Sequence, residues 1–251
     1  MAEKHPLFSI ITVCYNAAPT LARTLESVDS QSCRDYEHII VDGASTDGSQ
    51  DLVAGMPNEL RRIVSEPDKG LYDAMNKGVS LSKGSYLIFL NAGDKFHSSD
   101  TLALFEEKIH AEDMPGILYG QTDIVDEDGR RIGPRHLLAP DNLTLDSFAE
   151  GMVVCHQAFV ALKRIVGFFN LKYRYSADYE WCIRCLQHSR KNIGLGDTVV
   201  IDYLSEGLTT KHHKASLIER FKIMRYYYGL IPTLRRHIGF YARWRKRQKQ
   251  Q

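Results

Sequence analysis

The N-terminal part of the chain switches repeatedly between strand-like and helix-like hydrophobic patterns, and that alternation limits the folds open to it. Phe8 to Tyr15 is a β-branched apolar run with no helical period, as a buried parallel strand requires. Asn16-Ala-Ala-Pro19 breaks it, and Leu21, Leu25 and Val28 then recur at helical spacing. Tyr36 to Asp42 reads as a second strand, followed by the turn Gly43 to Gly48 and a short helix. Leu60 to Ser65 reads as a third strand, Tyr72 to Ser82 as a helix and Tyr86 to Leu90 as a fourth strand. A β-α-β-α-β-α-β order implies an α/β fold, a mostly parallel sheet flanked by helices and joined by right-handed crossovers. Ligands on such sheets sit beyond the carboxyl ends of the strands. Those ends carry Tyr15-Asn16, Asp42, Ser65-Glu66 and Asn91 to Asp94, so polar residues far apart in sequence are expected to meet.

The remainder is less regular. Ile117 to Asp126, the turn Glu127-Asp-Gly129 and Arg131-Ile132 suggest a hairpin. Helical patterns follow near 142–149, 157–167 and 177–188, with a strand at Thr198 to Tyr203. At 251 residues, 43% hydrophobic and 25% charged, the chain has the composition of one large globular domain with a short appendage. We divide it into a nucleotide-binding half over 1–115, an acceptor-binding half over 116–210 and a tail over 211–251. The charge supports this division: 211–251 holds 12 Lys+Arg against the single acid Glu219, while 1–210 holds 20 against 30 acids. An acidic body with a basic tail points the tail toward an anionic surface. Over 231–247, Ile231, Leu234, Ile238, Phe240, Tyr241 and Trp244 fall in one half-circle of a helix, and Arg235, Arg236, Arg243, Lys246 and Arg247 in the other. This basic amphipathic pattern favours an interfacial membrane helix over a helix packed on the domain, or in a dimer, with a solvated basic face. With no recognition motif and an acidic body, nucleic acid is not expected as a partner. No signal peptide or spanning segment is evident, which leads us to expect a cytoplasmic protein, peripheral on the inner face of the membrane. Cys182 and Cys185 form the one C-x-x-C, inside a helical pattern, where buried thiols are the simpler reading than a metal or redox pair.

The chemistry-bearing residues exclude some functions first. Neither a G-x-G-x-x-G after the first strand nor a Walker loop is present, so a nucleotide bound here would be handled by carboxylates and a metal. Asp42, ending the second strand, can accept from a base N–H or a ribose hydroxyl, or can close an Asx-turn. Ser65-Glu-Pro-Asp-Lys-Gly70 is a shaped charged loop, and the helix beginning at Tyr72-Asp73 could face a donor. Asn91-Ala-Gly-Asp94 follows an apolar strand, and its carboxylate can bind Mg²⁺ or Mn²⁺ bridging two phosphates, or simply make a turn. Asp178, in the first turn of the 177–188 helix, can deprotonate an acceptor hydroxyl, or merely favour the helix dipole. Glu180 lies on another face.

Taken together, Ser9-Ile-Ile-Thr-Val-Cys-Tyr-Asn16, Val41-Asp-Gly-Ala-Ser-Thr-Asp-Gly48, Ser65-Glu-Pro-Asp-Lys-Gly-Leu-Tyr-Asp-Ala-Met-Asn-Lys-Gly78, Phe89-Leu-Asn-Ala-Gly-Asp94, His156-Gln-Ala158 and Ser176-Ala-Asp-Tyr179 resemble glycosyltransferase family 2. They resemble most the bacterial branch of colanic-acid, exopolysaccharide and O-antigen cluster glycosyltransferases. The resemblance implies a GT-A (Rossmann-like) fold and an inverting transfer from a nucleotide sugar, UDP-linked, with Mg²⁺ or Mn²⁺. It implies a glycan or polyprenyl-diphosphate-linked acceptor in cell-envelope polysaccharide biosynthesis. Position by position, it makes Asp178 the catalytic base and Asp94 the metal carboxylate. Tyr15, Asn16, Asp42, Asp68, Lys69, Asp73, Asn91, His156 and Gln157 become substrate-binding residues, with Asp42 and Asp68 at the nucleoside. Glu206 to Thr210 matches a segment near the acceptor or the donor phosphates. The family's Asp-x-Asp is here Asn91-Ala-Gly-Asp94, one carboxylate short. The rival readings are a sugar-nucleotide nucleotidyltransferase, which lacks its glycine-rich triphosphate loop here, and a catalytically inactive binding module, which would be expected to have lost Asp94 or Asp178.

Overall fold

A computed structural model describes residues 5–205 and 213–248. The expected alternation forms as β1 (Phe8–Cys14), α1 (Ala18–Asp29), β2 (Tyr36–Asp42), α2 (Ser49–Gly55), β3 (Arg61–Ser65), α3 (Leu71–Leu81) and β4 (Tyr86–Phe89). β1 is buried at every position, and α1 buries Leu21, Thr24, Leu25 and Val28 on one face. β5 (Lys95–Phe96), α4 (Thr101–Ala111), β6 (Ile117–Val125), β7 (Arg131–Pro134), β8 (Phe159–Leu162), α5 (Ala177–His188) and β9 (Asn192–Leu204) follow. Two helices, α6 (His213–Tyr228) and α7 (Leu230–Gln248), end the chain.

The strands form one sheet in the order β3-β2-β1-β4-β8-β6-β9-β5, with β7 paired to β6. β1 to β4 run parallel, while β8 enters antiparallel between β4 and β6. This is the α/β, GT-A-like architecture expected, with a mixed second half. The expected hairpin forms as β6 and β7, antiparallel with a register shift at Ile124/Val125.

Three local expectations fail. The pattern at 157–167 is no helix: it is a 3-10 turn over His156–Ala158, strand β8, and a second turn over Lys163–Ile165. Phe159 to Leu162 is buried throughout, and a four-residue run buried on both faces carries no period to tell strand from helix. The segment near 142–149 is a single 3-10 stretch, Leu145–Glu150, opened by a capping box between Thr144 and Ser147. The last strand begins at Asn192, not Thr198: Gly194 lets it lie against Tyr119 of β6, and Gly120 of β6 makes room for its Val200.

Helix α6 packs into the domain. Ile223 and Met224 belong to the main core cluster. The Glu219 carboxylate accepts from the N–H groups of Arg174 (2.9 Å) and Tyr175 (2.8 Å), just ahead of α5. The Tyr227 hydroxyl donates to Glu180 at 2.7 Å. Inside the domain, α5 is fixed by Trp181, whose ring stacks on Phe169 at 5.1 Å and meets Phe89 and Phe159 edge-on. Burying each such ring contributes roughly 1.5–3 kcal/mol. Cys182 and Cys185 are 0% and 1% exposed in the same core, and burial pushes both thiols up. Glu206 to Thr210 lies outside the described residues.

Candidate active site

The loops beyond β1, β2 and β3 are laced together. Asn16 takes a left-handed backbone (φ 48°), which turns the chain from β1 toward α1. Its N–H donates to Ser45 Oγ at 2.8 Å, and its Oδ1 accepts from the Thr46 N–H at 3.0 Å. Asp42 is 0% exposed and accepts from the Ser45 hydroxyl and N–H, from Ser65 Oγ at 2.6 Å and from the Cys14 thiol at 3.5 Å. Burial pushes its carboxyl up, but those donors, led by Ser45, outweigh burial and hold it below its ordinary value. Asp42 is therefore the anchor of three loops, with its acceptor capacity turned inward.

What faces outward is the surface at Gly43. A Cβ there would lie 2.5 Å from Asp68 Oδ2 and 3.2 Å from Tyr15 Cδ2, so Tyr15 and Asp68 flank this glycine. The Tyr15 ring is 67% exposed. Asp68 Oδ1 accepts from the Gly70 N–H at 2.8 Å, and Asp73 Oδ2 accepts from the Lys69 N–H at 3.0 Å. Asp73 thus shapes the loop from the first turn of α3, and the Lys69 side chain stays exposed.

The turn after β4 forms a second cluster. Gly93 (φ 100°) bends Asn91 to Asp94 over α1, where the Thr24 hydroxyl accepts from the Gly93 N–H and donates to the Asp94 carbonyl at 2.7 Å. The Asp94 side chain is buried, with Oδ2 accepting from Gln157 Nε2 at 2.6 Å and Oδ1 from the Leu204 N–H at 2.9 Å. Burial pushes its carboxyl up to about 6, only partly opposed by those two donors. Asn91 Nδ2 lies 3.3 Å from His156 Nε2, and Asn91 Oδ1 is buried with no hydrogen-bond partner.

Asp178 completes this cluster from the first turn of α5. Its Oδ2 is 3.2 Å from His156 Nδ1, and its Oδ1 accepts from the Tyr72 hydroxyl at 2.9 Å and the Tyr179 N–H at 2.9 Å. Burial pushes the Asp178 carboxyl up. The bond and charge of His156, the Arg220 guanidinium and the Tyr72 hydroxyl outweigh burial and hold it below the usual carboxylate range. Burial, then the Asp178 charge, pushes the Tyr72 phenol well up, so Tyr72 remains the proton donor of the pair. The result is an ionised carboxylate, 14% exposed at its side chain, able to take a proton and preset in position.

A divalent cation of the Mg²⁺ or Mn²⁺ type prefers oxygen donors. Asn91 Oδ1 is an unpartnered buried oxygen, and each Asp94 oxygen accepts a single protein donor and so keeps a lone pair. This donor set fits such an ion. The His97, Asp123 and Asp202 cluster fits less well, because Lys95 (3.1 Å) and Arg131 (2.6 Å) already balance its two carboxylates. A surface hollow of about 860 Å³ lies beside the edge strand between α2 and β3 and shares only Ser65 with the polar clusters.

Tyr15, Asn16, Asp42 and Asp68 therefore converge on one side, with Lys69 and Asp73 next to them. Asn91, Asp94, His156, Gln157 and Asp178 converge on the other. The Ala92 N–H, which donates to Val13 O at 3.3 Å, joins the two across β1 and β4. Sequence reasoning missed Tyr72 as the hydroxyl on Asp178, Thr24 as the clamp of the β4 turn, and Arg220. Thr24 looks like any buried helical residue, and Arg220 lies in a segment taken for a tail.

Residues 9–166 match the family described as Glycosyl transferase family 2. The chain belongs to that family. The family match includes the site residues from Tyr15 to Gln157 and stops short of Asp178, whose placement follows from the packing of α5. A PGL/p-HBAD biosynthesis glycosyltransferase of Mycobacterium bovis (strain BCG / Pasteur 1173P2) is 34% identical over 189 residues, 73% of this chain and 71% of the relative. The amylovoran biosynthesis glycosyltransferase AmsB of Erwinia amylovora is 29% identical over 193 residues, 70% of this chain and 63% of the relative. Among solved structures, S. aureus TarS 1-349 in complex with UDP-GlcNAc superposes with a TM-score of 0.72 at 18% identity, covering 87% of this chain. The family 2 chain spans 64% of that TarS structure. The mannosyltransferase PcManGT from Pyrobaculum calidifontis, in complex with GDP-Man and Mn²⁺, gives 0.62 at 19% identity, covering 87% of this chain and 64% of its own.

Proposed function

We infer that this chain transfers a sugar from a nucleoside-diphosphate donor, UDP-linked, to a hydroxyl of a glycan or polyprenyl-diphosphate-linked acceptor in cell-surface polysaccharide or glycolipid biosynthesis, at the inner face of the membrane. One observation carries the reading: an ionised Asp178, held by His156 and Tyr72, belongs to the same cluster as the Asn91–Asp94 turn. Relatives named for PGL/p-HBAD biosynthesis and amylovoran biosynthesis support the acceptor class. Structural neighbours solved with UDP-GlcNAc and with GDP-Man and Mn²⁺ support the donor class and the metal.

Tyr15 offers an aromatic face to the base, and Asp68 and Asn16 bound the nucleoside side of the cleft. Asp42 sets the loop that presents them. Asn91 and Asp94 would hold the divalent ion, which when bound neutralises charge on the leaving diphosphate. Gln157 and the Leu204 N–H keep Asp94 in place. Asp178 takes the proton of the acceptor hydroxyl as that oxygen forms its bond to C1. The C1–O bond to phosphate breaks with its electron pair leaving on the nucleoside diphosphate. A single displacement of this kind inverts the anomeric centre.

Melting the protein with UDP-, GDP- and dTDP-sugars, each with and without Mn²⁺, tests this directly. A metal-dependent rise in Tm with the UDP series is expected. No rise with any nucleotide, in metal or without it, would overturn the donor reading.

A further inference from the structure

Helices α6 and α7 meet at Gly229 (φ 85°), and the Phe221 and His237 rings hold them together at 5.0 Å. The apolar half-circle of α7 is divided in two. Thr233 is buried and Phe240 packs against the domain core. Ile231, Leu234 and Ile238 are instead 65%, 45% and 71% exposed. At ~100° per residue these three fall within about 60° of the helix circumference, away from Thr233 and Phe240. Leu230 and Tyr226, on either side of the bend, are exposed as well. Arg235 borders it, Lys222 and Arg225 are exposed on α6, and the segment 211–251 carries 12 cations against one acid.

We propose that this strip is a docking face for an anionic lipid bilayer, with Ile231, Leu234 and Ile238 at the acyl boundary and the cations on the headgroups. Charge selects the occupant. A second copy would bring two strongly positive segments together, and a phosphodiester backbone gives three exposed aliphatic side chains nothing to bury against. No helix of the described residues is long and apolar enough to cross a membrane, so the hairpin lies in the plane of the surface. The opposite side of α6 is tied to the base-bearing helix through Glu219, Tyr227 and the Ser216–Ser176 hydroxyl contact at 3.0 Å. Docking by the hairpin therefore fixes Asp178 relative to the bilayer, where a lipid-linked hydroxyl would arrive. Only that last consequence rests on the transferase reading; the docking does not.

The test is co-sedimentation of the full chain with phosphatidylcholine vesicles and with mixed phosphatidylglycerol/phosphatidylcholine vesicles, without donor or acceptor. Binding to the anionic vesicles alone is expected, weakening with salt. The triple variant Ile231→Ser, Leu234→Ser, Ile238→Ser should bind at least roughly tenfold less, and Arg235→Gln roughly fivefold less. These positions are exposed, so far-ultraviolet circular dichroism should not change. Equal binding to both vesicle types, or a triple variant that pellets like wild type, overturns the proposal. So does a wild-type dimer that the triple variant dissolves, or duplex DNA captured more tightly than the anionic vesicles. A loss of UDP-dependent stabilisation would instead count against the donor reading and leave the lipid result standing.

Discussion

Two carboxylates in neighbouring parts of the site, the buried Asp94 on the β4 turn and the partly buried Asp178 at the start of α5, meet opposite electrostatic fates. Burial pushes both up, and both accept from protein donors. Asp94 accepts from a backbone N–H and an amide side chain and feels the more distant charges of His156 and Arg23, which together leave it at about 6. Asp178 meets an imidazole, a phenol and a backbone N–H, with a guanidinium near, and is held below the ordinary range. Both carboxylates feel the His156 charge, and Asp94 that of Arg23 as well, but only at Asp178 is the imidazole bonded directly to the carboxylate, and there the lowering contacts outweigh burial. A carboxylate left under-compensated is one that gains from a cation, while one already compensated is ready to act as a base.

The largest expected effect breaks the comparison at Asp178. Asp178→Asn keeps the shape and removes the proton acceptor, so transfer should fall by about 10²–10⁴. The UDP-sugar melting shift should persist, because the donor cleft is untouched. Turnover near wild type would remove Asp178 as the base.

At Asp94 the comparison is sharpened through pH. Its folded-state value lies near 6 against an ordinary 3.8, so between these values the folded chain binds more protons than the unfolded one. Its contribution to stability is thus greatest below the lower value, falls as pH rises to about 6, and is flat above. A shift of that size corresponds to about 3 kcal/mol. Urea unfolding in a chelator, wild type against Asp94→Asn across this range, should show a stability difference with that slope. With Mn²⁺ and UDP added the sign reverses, because a cation favours the ionised form: their stabilisation should grow with pH in wild type alone. A flat difference in the chelator would mean Asp94 does not carry the raised carboxyl described, and pH-independent stabilisation would place the metal elsewhere.

These two neighbourhoods were unequally legible in the sequence. Asn91, Asp94 and the parallel strands could be read because a buried β-branched run followed by a polar turn has one common structural meaning in an α/β chain. Asp178 could be placed on a helix start, but its partners could not be found. Tyr72 is 106 positions away, and His156 lies in a segment whose buried strand β8 resembled a helix. Arg220 and Glu219 were masked by composition: a basic run suggests solvent, although its inner face carries the buried Ile223 and Met224. Local pattern reveals elements, whereas a charge network is assembled by packing across them.

His156→Gln is expected to act less strongly. Glutamine still donates a hydrogen bond to Asp178 but brings no charge, and His156 is the leading group holding that carboxyl down. Activity at neutral pH should drop roughly tenfold, and the acid limb of the kcat/KM profile should move to higher pH. A drop in activity with an unmoved limb would make His156 a packing residue only.

The smallest effect is expected at Tyr72. Replacing it with phenylalanine leaves the ring stacked on Phe169, 5.6 Å away, and deletes only the hydroxyl that donates to Asp178 Oδ1. The Tyr179 N–H still serves that oxygen, and His156 still serves the other. Tyr72 also ranks behind His156 and Arg220 in holding the carboxyl down. The loss in stability at neutral pH should therefore be about 1.5 kcal/mol, the low end for a hydrogen bond to a charged group. Its pH dependence has a definite sign. Asp178 has a depressed folded-state value, so its contribution is present above the unfolded value and is lost as pH falls through the folded one. The gap between wild type and Tyr72→Phe should accordingly be widest near neutrality and close in acid, opposite to the trend at Asp94. In turnover, kcat should fall roughly threefold to tenfold with KM for the donor unchanged, because a hydroxyl bound to the base orients it without touching the nucleotide. A raised donor KM with kcat intact would move Tyr72 from the base to the donor cleft, and the two carboxylate neighbourhoods would then have to be treated as one.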